Sequence, residues 1–228
     1  MLILAVDTTT PSGSVALLED ETLLGEANVA SAATHSARLL RSVDFLVGAH
    51  GRDVRDIDAF AVAAGPGSFT GIRIGVGAVK SLSFASGKPV APVSTLLALA
   101  VKLAADGPRL VCPLLDAKKD EVYAGLFEVH KAGLTELIPQ GAYGPDAFFA
   151  RLPARRVIAF AGSGLAMYRA KLLPYVRDKA RFPRRSAFIA AEVGRIGRGV
   201  ILEGKGVGAA DLEPIYFRRS QAEETCRS

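Results

Sequence analysis

The sequence predicts a two-lobed α/β protein, each lobe a mixed sheet flanked by helices. Three observations carry this. Apolar runs that read as buried strands end in an acid at Asp7 and again at Asp116. Gly-rich turns follow strands at Gly65-Pro66-Gly67 and at Gly162-Ser163-Gly164. The element order itself repeats at a spacing of roughly 100 residues, the mark of a duplicated domain and not of a solenoid. The chain has 228 residues, half of them hydrophobic and 22% charged, so it can bury a core and is not disordered.

The elements follow in order. Leu2 to Val6 is a continuous apolar run ending at Asp7, as in a strand buried on both faces. Pro11-Ser12-Gly13 and Glu21-Thr22 are turns that set off strands over Ser14 to Leu18 and Leu23 to Val29, giving an antiparallel meander. Thr34 is placed to cap a helix over about His35 to Ala49, with Leu39, Leu40, Val43, Leu46 and Val47 as its apolar stripe and Gly48 and Gly51 at its end. Ala59 to Ala64 is a buried strand. A helix from near Thr70 to Ser86, a strand over Pro89 to Val93 and a helix from Ser94 to about Ala105 complete the series. The series then restarts with strands over Arg109 to Asp116, Glu121 to Val129 and Leu134 to Ala142, a short helix over Pro145 to Leu152 and a strand over Val157 to Ala161. Ala187 to Ile201 is the last helix, followed by a Gly-rich turn and a polar end expected to fray.

The expected division is an N-terminal lobe over 1–105, joined by the returning helix over about 186–203, a second, smaller lobe over 106–185 and a C-terminal tail over 204–228. A βββαβαβα plan used twice is that of the actin, sugar-kinase and heat-shock chaperone superfamily (ASKHA), built from two RNase H-like lobes. In that plan the lobes face a nucleotide cleft.

Composition narrows the function classes. Cys112 lies in an apolar run and Cys226 near the end, with no CxxC, so neither zinc nor a disulfide framework is expected. The N-terminal run lacks a basic flank, and no apolar stretch reaches membrane-spanning length, so a cytosolic protein is expected. The net charge is +5, and basic residues crowd the region from Arg151 to Arg198. That crowding reads either as solvated helix faces or as a surface meeting RNA or an acidic partner.

Two segments could carry chemistry. Asp7-Thr8-Thr9-Thr10 follows a buried strand; it either offers hydroxyls and N–H groups to phosphate, with Asp7 toward a hydrated Mg²⁺, or is a turn that satisfies its own backbone. Gly65-Pro66-Gly67-Ser68-Phe69-Thr70-Gly71-Ile72-Arg73-Ile74-Gly75 is the more informative. Its glycines allow close backbone approach, and Ser68 or Thr70 can cap a helix whose N-terminus attracts anions. Arg73 in the first turn opposes the helix dipole and so points to an anion or a partner carboxylate. Gly71, Gly75 and Ala78 make one helix face small enough for a close helix–helix contact. The candidate anion or nucleotide residues are therefore Asp7, Thr8, Thr9, Gly65, Gly67, Ser68, Thr70 and Arg73.

Other motifs fail. No Gly-Lys-Ser/Thr follows the glycines, and the first βα unit has no GxGxxG. Gly204-Lys205-Gly206-Val207-Gly208 follows a helix, where a C-cap turn is expected. His35, His50 and His130 are scattered, and no GxSxG, HExxH or paired-carboxylate pattern is present. The Asp116 turn parallels the Asp7 turn but lacks its hydroxyls.

The strings VDTTTPSGSVALL, AAGPGSFTGIRIGVGAVKSLSFA, PLLDAKKDEVYAGLFE and LEPIYFRR together resemble the TsaB family over almost the whole chain, most strongly from Met1 to about Val101. The resemblance implies a non-catalytic subunit that forms a heterodimer with its paralogue TsaD in the bacterial machine making N6-threonylcarbamoyladenosine in tRNAs that read codons beginning with A. It also implies recruitment of TsaE, an ATPase, indirect contact with tRNA through the complex, and at most weakly held ATP or ADP at the shared interface. TsaD carries an HxxxH metal site; here Thr95 and Leu99 stand at those positions, so no metal and no catalytic residue is expected. The glycoprotease label attached to such sequences finds no nucleophile–base pair here. The interface would use the first two helices, about His35 to Ala49 and Thr70 to Ser86, through His35, Leu39, Phe69, Gly71, Ile72, Gly75 and Ala78. Without its partner the same surface could pair as a homodimer. An ASKHA-type ATPase or kinase using the cleft is the alternative.

Overall fold

Apolar runs buried on both faces form the central strands of two five-stranded mixed sheets. The computed structural model describes residues 1–30, 35–105, 107 and 109–217, without the side chains of 29, 30 and 35–37. The Thr34 cap, Cys226 and the polar end lie outside the described residues.

The first sheet starts from the meander of β1 (Leu2–Asp7), β2 (Ser12–Glu19) and β3 (Thr22–Ala30). After α1 (His35–Ala49) and a 3₁₀ turn at Val54–Asp56 come β4 (Ala59–Gly65), α2 (Phe69–Ser86), β5 (Val90–Ser94) and α3 (Thr95–Ala104). The strand order is β3-β2-β1-β4-β5, with β1, β4 and β5 parallel and the meander antiparallel. The period-2 rule then splits each central strand between two layers. Leu4, Val6, Leu17, Phe60 and Val62 face a core shared with Leu39, Val43 and Leu46 of α1 and Ile72, Val76 and Val79 of α2.

The second sheet repeats the plan with β6 (Leu110–Lys118), β7 (Glu121–His130), β8 (Gly133–Tyr143), α4 (Pro145–Phe149), β9 (Ile158–Ala161), α5 (Leu165–Val176) and β10 (Ala180–Arg181). Its order, β10-β9-β6-β7-β8, is the order of the first sheet read from the other edge. The expected duplication is thus present strand for strand. Cys112 is buried in this core, as expected, and burial raises its thiol pKa. The helix α5 and the strand β10 were not anticipated. Tyr168, Leu172 and Val176 give α5 a narrow inward stripe, and Pro174 inside the helix obscures it in the sequence.

The last helix, α6 (Ala190–Leu202), lies on β1, β2, β4 and β5. Ser14, fully buried on β2, accepts a bond from the Ala190 N–H at 3.1 Å and so serves the helix start from across the sheet. Glu203 caps the end of α6, and Gly204 follows it at φ +69°, the left-handed conformation that favours glycine after a helix. Two boundaries differ from expectation. The compact units are Met1–Ala98 with Ala187–Ile215, and Leu99–Ser186 with Tyr216 and Phe217, so the division falls inside α3. The region 204–215 is not a separate tail. Val207 pairs with Val90 through two backbone bonds of 2.8 Å, and Leu212 is buried in the first core, because these apolar residues find an open sheet edge and core there.

Candidate functional site

The two segments singled out in the sequence meet in the first unit. β1 delivers Asp7, Thr8 and Thr9 at its C-terminal end, and the adjacent parallel strand β4 delivers the Gly65 turn at its own. Parallel neighbours end on the same side of a sheet, so this juxtaposition follows from topology.

The two turns interlock. The Thr8 hydroxyl donates to the Gly71 carbonyl at 2.7 Å, and the Ser68 N–H donates to the Thr9 carbonyl at 2.7 Å. A Cβ on Gly67 would lie 2.4 Å from the Thr9 oxygen, one on Gly71 2.0 Å from the Thr8 oxygen and one on Gly75 2.3 Å from the Thr8 hydroxyl. The glycines therefore let helix α2 press on the 7–9 turn of its own chain. Gly65, at φ +127°, is closed from the other side by Ile215, whose N–H donates to the Ala64 carbonyl at 2.7 Å. Ile215 is not among the candidate residues, since the contact it makes here is through backbone atoms, which leave no side-chain pattern. The Gly65–Pro66 peptide bond is cis.

This geometry corrects part of the expected docking set. The small face of α2 is filled from within, so Gly71, Ile72 and Gly75 are buried and face this chain, not a partner. Leu39 is buried under α1, and Ala78 is half-buried against the first core. His35 begins α1, but its side chain lies outside the described residues. Of the seven, Phe69 is exposed, at 38%. The outward surface of the two helices carries residues not named for it: Leu40 at 50%, Phe45 at 71% and Phe84 at 84% exposure. Arg73 is exposed too, its guanidinium 4.0 Å over the Phe69 ring.

The candidate anion residues divide in the same way. Asp7, Thr8 and Thr9 are buried, whereas Ser68, Thr70 and Arg73 are exposed. Several N–H groups at the start of α2 are already taken. Ser68 Oγ accepts from Gly71 N at 3.3 Å, and the Ser68 carbonyl accepts from Ile72 N at 2.8 Å. Asp7 Oδ1 accepts from the Thr9 N–H at 2.8 Å and the Thr9 hydroxyl at 2.6 Å, while its Oδ2 has no partner among the described residues. Burial pushes the Asp7 carboxyl up to about 6; the Thr9 bonds oppose this and the charge of Glu26 adds to it. Asp116, the counterpart in the second sheet, accepts from the Lys118 N–H at 2.8 Å and pairs with the Lys118 ammonium at 2.6 Å. The duplicated turn has thus become an ordinary Asx turn with its own cation.

At the positions expected for paralogue histidines, Thr95 is fully buried and Leu99 is 5% exposed. Among the described residues no three His, Cys, Asp or Glu side chains cluster as metal ligands, and no helix is long and apolar enough to cross a membrane.

Comparison with known proteins adds the family. The model of TsaD, tRNA N6-adenosine threonylcarbamoyltransferase, matches residues 28–176. The tRNA threonylcarbamoyladenosine biosynthesis protein TsaB of Bacillus subtilis is 34% identical over 142 residues, 61% of this chain and 60% of that protein. The chain spans between half and two thirds of the length of this and the other first curated relatives. A crystal structure from Pseudomonas aeruginosa, of an uncharacterized protein with similarity to peptidase YeaZ, superposes with TM-score 0.82 at 30% identity, covering 95% of this chain and 99% of that one. A ROK hexokinase from Thermus thermophilus superposes with TM-score 0.50 at 16% identity, covering 90% of this chain and all of that one, a likeness of fold alone.

Proposed function

The chain belongs to the TsaB family of the ASKHA superfamily, and on that premise we propose that it serves threonylcarbamoyladenosine formation in tRNA as a non-catalytic subunit. It pairs with a TsaD-type subunit through the outward side of α1 and α2. The observation that carries this reading is the exposure of Phe45 and Phe84, with Leu40 and Phe69 also exposed on the same two helices. Burying one such aromatic ring is worth about 1.5–3 kcal/mol, and exposed aromatic anchors are what partner interfaces consume. Thr95 and Leu99 support a role without chemistry of its own, because neither side chain is a ligand for the metal that the paralogue's histidines would hold.

The same reading includes recruitment of the TsaE ATPase, a cytoplasmic location, engagement of tRNA within the complex, and self-pairing of the helix surface when TsaD is absent. Size-exclusion chromatography of the chain mixed with a TsaD subunit tests it. One co-eluting species at micromolar concentration is expected; two separate peaks would refute it.

A nucleotide-binding role is the second reading, favoured by the unpartnered Asp7 Oδ2 beside the α2 start. On that account Asp7, Thr8, Thr9, Gly65, Gly67, Ser68, Thr70 and Arg73 hold ATP or ADP on the chain by itself. Calorimetric titration of the isolated chain with Mg-ATP distinguishes the two: micromolar binding with turnover favours an ATPase or kinase, and no heat favours the subunit.

A further inference from the structure

We propose that the edge of the second sheet where β6, β9 and β10 begin binds the phosphate backbone of RNA directly. Three neighbouring parallel strands start there in register, Leu110 beside Ile158 and Ile158 beside Ala180. Each is preceded by cations: Arg109 before β6, Arg155 and Arg156 before β9, Arg177 and Lys179 before β10. Strand spacing of about 4.8 Å sets the three strand starts in a row about 10 Å across, and the cations lie in the short segments that lead into them. Nothing in the packing of the sheet requires charge at this position, since the strand bodies are apolar.

The local electrostatics agree. Arg156 bonds Glu128 at 2.5 Å, and Arg109 and His130 act on the same carboxylate, which all three hold below the usual carboxylate range. One acid is thus shared among several cations. Asp178, the other acid in the row, pairs with Lys179 at 2.7 Å. Arg155 and Arg177 are exposed and make no ion pair among the described residues. The surrounding sequence repeats the bias: from Arg151 to Arg185 ten basic residues stand against one acid. An excess of unneutralised guanidinium groups at one end of a sheet is the electrostatic footprint of a polyanion, and displaced counterions supply the affinity. The choice of RNA over other polyanions rests on the proposed role in tRNA modification.

The test is fluorescence anisotropy of the full chain with a labelled tRNA transcript. With about four phosphates engaged, affinity falls about 50- to 150-fold between 50 and 200 mM salt. Replacing Arg155→Gln and Arg177→Gln together lowers affinity about tenfold and reduces the logarithmic salt slope by about 2, whereas Arg52→Gln in the first unit changes neither. Thermal melts confirm that each variant folds. Absence of binding, equal weakening by Arg52→Gln, or displacement by an acidic polypeptide as readily as by unlabelled RNA overturns the proposal. Complex formation with TsaD is measured in parallel. A chain that joins TsaD but binds no RNA refutes this edge and leaves the subunit role standing; RNA binding lost in the double variant without any heterodimer refutes the role and leaves the edge.

Discussion

At the scale of single residues the site is governed by the oxygen and glycine contacts of one turn. The Gly71→Ala change would force a methyl to 2.0 Å from the Thr8 carbonyl oxygen, backbone that cannot give way easily. We expect a loss of about 3 kcal/mol in denaturant unfolding. Gly77→Ala on the same helix meets nothing within 4 Å and should stabilise by about 0.5–1 kcal/mol through helix propensity. Equal effects from the two would remove the interlock as the reason for the glycines. Asp7 provides a pH signature. Its folded pKa of about 6 lies above the unfolded value of 3.8, so the folded state holds the extra proton and stability falls as pH rises between the two values. The cost above pH 6 is about 3 kcal/mol. In Asp7→Asn, stability measured by denaturant titration should be flat across that window relative to the parent; an unchanged slope would assign it to other groups.

At the scale of elements, the helix pair α1–α2 divides into an inward and an outward side. Arg73 lies over Phe69 on the outward side, where its positive charge gains nothing from the helix dipole. Arg73→Ala should weaken the TsaD complex while moving the melting temperature by under about 2 °C, the behaviour of a surface residue. A large drop in melting temperature with intact binding would make it structural. Much of this level was legible beforehand. Apolar runs ending at Asp7 and Asp116 gave the duplicated meander, and the Gly65 string located the turn that meets β1. The facing of α2 was not legible, because small residues at Gly71 and Gly75 mark a close approach without saying to what. The apolar stripe of α1 includes both Leu39 and Leu40, and only packing shows that Leu39 turns in while Leu40 turns out. Helix α5 was hidden by Pro174, and the Ile215 closure by the backbone bond through which it meets Ala64.

At the scale of the whole chain, one plan has been used twice and specialised differently. In the first unit the turn after β1 is buried and locked under α2; in the second, the equivalent acid is neutralised by Lys118. Neither turn is left as an open phosphate cradle, and the exposed features lie elsewhere: aromatic side chains on α1 and α2, and cations at the start of β6, β9 and β10. Exposed Phe45 and Phe84 are the surface that the proposed docking needs. The most direct measurement is a calorimetric titration of a TsaD subunit with the parent chain and with the Phe45→Asp, Phe84→Asp double variant. Both side chains are largely exposed, so the variant should keep its melting temperature and lose at least about 30-fold in affinity, as hot-spot residues do. Unchanged affinity in a folded double variant would contradict the account.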